Sequence, residues 1–183
     1  GGEERPFAGE DRLLIPSLAV AHFDDAPQMR AKDIATKIIE NMDQYQVIVA
    51  NFANADMIGH SGNFTAAVLA VEALDEALGM LVSAVMNKKG TMIVTADHGN
   101  VERKRDAVSG ERLTRHSINP VPFFIIAEQF RKKTARSDEE ITKQKLEIGG
   151  IITDVAPTAL ALLGIEKPIE MTGQSLLEKL LRQ

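Results

Sequence analysis

The order of polar and apolar positions predicts helices and strands in alternation, after an irregular start. Gly1, Gly2, Pro6, Gly9, Pro16 and Pro27 interrupt residues 1–27, so no regular element is expected there. Ile34, Ile38 and Met42 recur at helical spacing and predict a helix with one apolar face. Residues 46–52 (QVIVANF) form a short run rich in β-branched side chains, which reads as a buried strand. Residues 63–89 predict a long helix. Within it Val71, Leu74, Leu78, Leu81 and Val85 alternate steps of three and four, making one stripe for core packing.

Residues 91–96 (TMIVTA) and 121–127 (VPFFIIA) predict two more buried strands. The polar stretch between them, residues 97–119, is long enough to be a functional loop. Residues 128–148 are charged and poor in apolar side chains, which suits a solvated, mobile insertion. A helix is expected over 152–163, with Thr153 or Asp154 near its start and Gly164 just past its end. A short helix over 175–181 closes the pattern. Strands alternating with helices argue for an α/β domain with a mostly parallel central sheet flanked by helices. No internal repeat, low-complexity tract or domain boundary is visible.

Composition narrows the chemistry. The 183 residues carry a net charge of −5 with the charges interspersed, so no basic stripe invites nucleic acid. No apolar run is long enough to cross a bilayer, and no signal peptide is visible. There is no cysteine, which excludes disulfides and thiolate metal sites. A metal must then be held by His, Asp or Glu, which favours Mn²⁺, Mg²⁺ or Zn²⁺. The chain opens Gly-Gly-Glu-Glu without an initiator Met, and so reads as a processed product or a piece of a longer protein.

Of four histidines, three sit beside acidic residues or strand ends. Asp56 and His60 are four apart, directly after the first predicted strand. If that turn is helical, both side chains share a face and can converge on one ion. A surface pair or an N-cap aspartate is the competing reading. Asp97 and His98 follow the second predicted strand, at the carboxyl end where α/β sheets bind ligands. A capped turn would use the same residues. His116 lies in the loop before the third predicted strand. His22 has no acidic partner at ligand spacing and receives no role. Together, Asp56, His60, Asp97, His98 and His116 flank strand ends expected along one sheet edge. Five ligands exceed one tetrahedral site and suggest two ions. Two divalent ions bring four positive charges against two from Asp56 and Asp97, so further anionic ligands are wanted.

The motifs NFANADMIGH, TADHGN, HSINPVP, GEDRLLIPS and TDVAPTALALLGI…EMTGQSL resemble those of the cofactor-independent phosphoglycerate mutases, in the same order. The first half of the last motif also recurs across the alkaline phosphatase superfamily. The resemblance implies an alkaline-phosphatase-like sandwich, of which residues 1–183 are the carboxy-terminal part of the metal-binding phosphatase domain. It implies two Mn²⁺ ions (Mg²⁺, Co²⁺ or Zn²⁺ as substitutes), one held by Asp56, His60 and His116, the other partly by Asp97 and His98. A nucleophilic Ser and a catalytic Lys of the family have no counterpart here, so the chain alone is expected to be inactive. The whole protein would interconvert 3-phosphoglycerate and 2-phosphoglycerate in the cytoplasm through a phosphoserine, with no 2,3-bisphosphoglycerate requirement. Ser61 and Ser117 stand where the family has Thr, and are expected to bond local backbone rather than attack substrate. Ala55 stands where the family usually has Pro. Other members of the superfamily (a phosphopentomutase, a metallophosphatase, a sulfatase-like hydrolase) and a non-catalytic metal-binding module remain alternatives. If an upstream segment is missing, an exposed sheet edge or apolar groove would favour self-association.

Overall fold

The computed structural model describes residues 5–181; the expectations for Gly1 and Gly2 lie outside them. Six α-helices and two strands are present among these residues: α1 (Ala31–Asn41), α2 (Asn54–Gly59), α3 (Phe64–Asn87), β1 (Met92–Thr95), β2 (Phe123–Ile126), α4 (Asp138–Leu146), α5 (Val155–Leu162) and α6 (Leu177–Leu181). They fall into two compact units. One lies within Gly1–Leu81 and Asn100–His116, the other within Val82–Gly99 and Ser117–Gln183. Nothing in the polar pattern marks this division. No helix among the described residues is long and apolar enough to cross a membrane.

In the first unit, α2 is a six-residue helix fixed from its start. Asn54 is buried and its amide donates to the carbonyls of Pro27 and Gln28 at 3.0 and 2.8 Å. Ile58, at the other end of α2, is fully buried against Ala66, Ala67 and Ala70 of α3, with Phe23 and Val101 around them. Alanine here has a reason. A side chain of one carbon leaves room for Ile58 beside α3, and still removes apolar surface from water. The buried residues of α3 are therefore Ala66, Ala67, Ala70, Ala77 and Leu81. This corrects the predicted stripe, since Val71 is exposed and Leu74, Leu78 and Val85 are only half-buried.

The α/β class holds, but the sheet differs from expectation. Residues 46–52 form no strand, and Val47, Ile48 and Val49 are exposed. A strand exists through its ladder, and this run has no hydrogen-bonded neighbour among the described residues. The expected parallel arrangement is likewise corrected. β1 and β2 pair antiparallel, with Met92 opposite Ile126 and Thr95 opposite Phe123. Parallel pairing of consecutive strands needs a crossover connection, and residues 96–122, which join β1 to β2, contain no helix to make one. The antiparallel register sets the carboxyl end of β1 beside the start of β2. A further bridge, Gly99 to Ser117, continues that pairing into the loops.

Later in the second unit, residues 128–148 contain α4, closed at its start by a capping box between Ser137 and Glu140. None of its residues is buried. α5 follows a 3-10 turn at Ile152–Asp154, and Gly164 ends it with φ of 69°. Asp154 joins this helix to the chain end: its carboxylate accepts from the backbone of Ile151 at 2.9 Å and of Gln174 at 2.8 Å. Those bonds hold its pKa below the ordinary aspartate value, Gln174 contributing most. The stabilisation is present above the unfolded pKa and is lost as pH falls through the folded one. Asp154→Asn should therefore cost about 2 kcal/mol at neutral pH. The gap from the parent should narrow below about pH 4, as read by denaturant unfolding at several pH values. A constant gap down to pH 2 would show that the carboxylate charge is not what matters.

Candidate metal centre

The turn after residue 53 is helical, so Asp56 and His60 share one face of α2 as their four-residue spacing requires. His60 caps that helix, its N–H donating to the Asp56 carbonyl at 3.1 Å. The third member arrives on a loop. Residues 100–116 fold back on themselves: Leu113 N donates to Lys104 O at 3.1 Å and Asp106 N to Glu111 O at 2.9 Å. The tip is closed by the Asp106 carboxylate, which accepts from the backbone of Val108 and Ser109. Those bonds hold its pKa low. The returning arm lays Thr114 and His116 against α2.

Three atoms meet there. Asp56 Oδ1 lies 3.2 Å from His60 Nε2 and 3.1 Å from His116 Nε2, and the two imidazole nitrogens are 3.0 Å apart. The rings are tilted at 53° to each other, so they do not stack face to face. His60 Nδ1 is 2.7 Å from the Thr114 carbonyl, which can only accept, so in the neutral ring that nitrogen carries the proton. Its Nε2 then turns a lone pair toward His116 and Asp56. One shared proton can satisfy only one edge of this triangle. A cation satisfies all three corners. Ligand atoms around one ion about 2.0–2.2 Å away are themselves spaced about 3.0–3.5 Å apart. The donor set and its spacing therefore fit a divalent metal. All three side chains are partly open to solvent.

Asp97 and His98 lie in the second unit, immediately beyond β1. They are neighbours, with His98 Nε2 3.6 Å from Asp97 Oδ2. Asp97 is exposed and His98 half-buried. The structure thus brings three of the five predicted ligands together in one unit and pairs the other two in the other. Asp56 and His60 come from a helix and not from a strand end, which corrects the expectation of a single sheet edge.

Ser61 and Ser117 behave as the sequence suggested. The Ser61 hydroxyl donates to Ile58 O at 2.7 Å and accepts from Asn63 N at 3.1 Å. Ser117 Oγ accepts from Asn119 N at 3.2 Å. His22 is exposed, with no side-chain bond to the turn it precedes.

Sequence reasoning missed Asn100, Lys104 and Thr114. Asn100 Nδ2 donates to Asp56 Oδ1 at 2.7 Å. Lys104 is buried, and burial pulls its pKa down, while the charges of Glu102 and Asp56 oppose that. Its ammonium donates to Asn100 Oδ1 and to Gly59 O. A Cβ at Gly59 would overlap the Asn100 amide, which is why the helix ends in glycine.

A family model described as the Metalloenzyme superfamily matches residues 1–167. The chain is 48% identical over 179 residues to the 2,3-bisphosphoglycerate-independent phosphoglycerate mutase of Pseudomonas entomophila, covering 97% of this chain and 32% of that protein. It is 44% identical to the mutase of the same name from Moorella thermoacetica, covering 98% of this chain and 32% of that one. A crystal structure of Leishmania mexicana phosphoglycerate mutase at low cobalt concentration superposes with a TM-score of 0.69 at 33% identity, over 87% of this chain and 30% of that one. The chain thus spans about a third of the length of the relatives it matches.

Proposed function

This chain belongs to the metalloenzyme superfamily, and from that premise we propose that it supplies the metal-holding part of a phosphoglycerate mutase. Such an isomerase interconverts 3-phosphoglycerate and 2-phosphoglycerate without 2,3-bisphosphoglycerate. The observation that carries the reading is the convergence of Asp56, His60 and His116 at 3.0–3.2 Å, from positions sixty residues apart at the extremes. These three would hold one ion. Asp97 and His98 would contribute to a second. Mn²⁺ is the ion we assign, since imidazole and carboxylate without thiolate suit it, with Mg²⁺, Co²⁺ or Zn²⁺ as substitutes.

When bound, such cations neutralise charge on transferring phosphoryl oxygens and favour an ionised hydroxyl nucleophile. The chain's own residues supply position and charge. Asp56 brings a negative charge, and the Thr114 carbonyl fixes the His60 tautomer. The Ser61 and Ser117 hydroxyls are engaged by backbone, so neither serves as nucleophile in this reading. Asp56 and Asp97 leave two divalent ions half-neutralised, so the second ion needs anionic ligands from other residues.

Calorimetric titration of the chain with Mn²⁺ should give one tight event near a ratio of one and at most a weak second. With Mn²⁺ and 3-phosphoglycerate present, no 2-phosphoglycerate should form. Lack of a tight event would remove the site, and turnover at the rate of an intact mutase would remove the division of labour.

A further inference from the structure

We infer that Lys104 is a positioning residue for the metal centre, acting on Asp56 through the amide of Asn100. The inference rests on the reading of Asp56 as a ligand. Lys104 and Asn100 are each only 5% exposed, and a lysine is seldom buried unless its ammonium is satisfied. This one donates to Gly59 O at 3.0 Å and to Asn100 Oδ1. The opposite end of the amide, Asn100 Nδ2, donates to Asp56 Oδ1 at 2.7 Å and lies 3.2 Å from the Asp56 carbonyl. Asp56 Oδ1 is the same oxygen that faces both imidazoles.

The direction of this relay follows from the donor inventory. An ammonium has three donors and no acceptor, so it takes the oxygen of the amide. The amide must then offer its NH₂ to the carboxylate. Without Lys104, Asn100 could turn and set its oxygen against the Asp56 oxygen, two acceptors facing each other in a half-buried place. Gly59 completes the device, because any side chain there would displace the amide. Partners of this kind, one bond behind a ligand, fix its orientation, and their loss typically costs ten- to a hundredfold in metal affinity.

The ammonium also has an opposite effect. Its positive charge repels an arriving cation, so simple charge removal would tighten binding. The sign of the effect therefore separates the two roles. Co²⁺ titrated into the chain reports both affinity, by calorimetry, and ligand arrangement, by its visible absorption bands. Lys104→Met is expected to weaken Co²⁺ binding at least tenfold and to alter the band shape, while Lys104→Arg, which keeps donors only, stays near the parent. In an Asn100→Ala background, Lys104→Met should produce no further loss. Lys104→Gln, whose amide can pair with Asn100 in either direction, is a second variant should the methionine form not fold, and it should also lose affinity. Circular dichroism of the metal-free proteins checks that each is folded. Parent-like or tighter binding with an unchanged spectrum in a folded Met or Gln variant overturns the inference. A full additional loss in the Asn100→Ala background overturns the route through Asn100. No Co²⁺ binding by the parent chain would instead sink the metal assignment itself.

Discussion

Replacing His60 with alanine is expected to abolish the tighter divalent-cation binding event. The substitution removes Nε2 from a triangle whose edges are 3.0, 3.1 and 3.2 Å, and two donors remain. It also strips the Thr114 carbonyl of its 2.7 Å partner, which loosens the arm that presents His116. A four-ligand protein site contributes roughly 10–16 kcal/mol, so one ligand carries on the order of 3 kcal/mol, or a hundredfold or more in affinity. Calorimetry with Mn²⁺ reads the loss, and circular dichroism shows whether the helices persist. His22→Ala is the control: that ring is exposed, makes no cap bond to its turn, and should leave the titration unchanged. Equal affinities for His60→Ala and the parent would remove the assignment of all three residues as one site.

Much of this centre was legible before any coordinates, for a specific reason. A four-residue separation of Asp56 and His60 has one meaning on a helix, and local geometry alone delivers it. His116 was different. Its approach depends on a loop of seventeen residues, Asn100–His116, closing through backbone bonds and an aspartate-capped tip. Nothing in residue spacing encodes that: the predicted strand ends grouped His116 loosely with all four other candidates, and only the family resemblance set it with Asp56 and His60. Lys104 was invisible because a lysine in a charged stretch normally reaches solvent. Its burial is decided by the amide it meets, and that amide lies over a glycine at the end of another element.

The helices were recovered better than the sheet. α1, α3 and α5 depend on local spacing and caps, whereas a strand depends on a neighbour distant in sequence. Residues 46–52 have the composition of a strand and no ladder partner among the described residues. The face of α3 was misread because large residues dominate hydrophobic patterns. Where Ile58 packs on α3 its neighbours are alanines, which a stripe of Val and Leu conceals.

The second large effect is expected at Gly173, and it concerns stability. This glycine is buried, and a Cβ there would fall into the backbone carbonyl of Thr153 and within 3.2 Å of Asp154 N. The need is for space and not for an unusual backbone angle. Neither neighbour can yield cheaply. Asp154 N is bonded to Ile151 O at 2.9 Å, and the Asp154 carboxylate ties down Ile151 and Gln174. One turn on, the buried Thr158 hydroxyl donates to Asp154 O at 2.6 Å and accepts from Leu176 N at 2.9 Å. Residues 173–176 are thus stitched to the start of α5 by bonds that a shift of an ångström would break. Overpacking costs about 1–3 kcal/mol, and losing one or two of these bonds adds about as much again. Gly173→Ala should therefore destabilise by about 4 kcal/mol, lowering Tm by roughly 8–16 °C for a chain of this size. Gly149→Ala, where the new carbon meets nothing within 4 Å, should move Tm by no more than about 2 °C. Equal melting temperatures for the two variants would mean that the contact between Gly173 and Thr153 carries no strain, and that the chain end is not fastened where its hydrogen bonds place it.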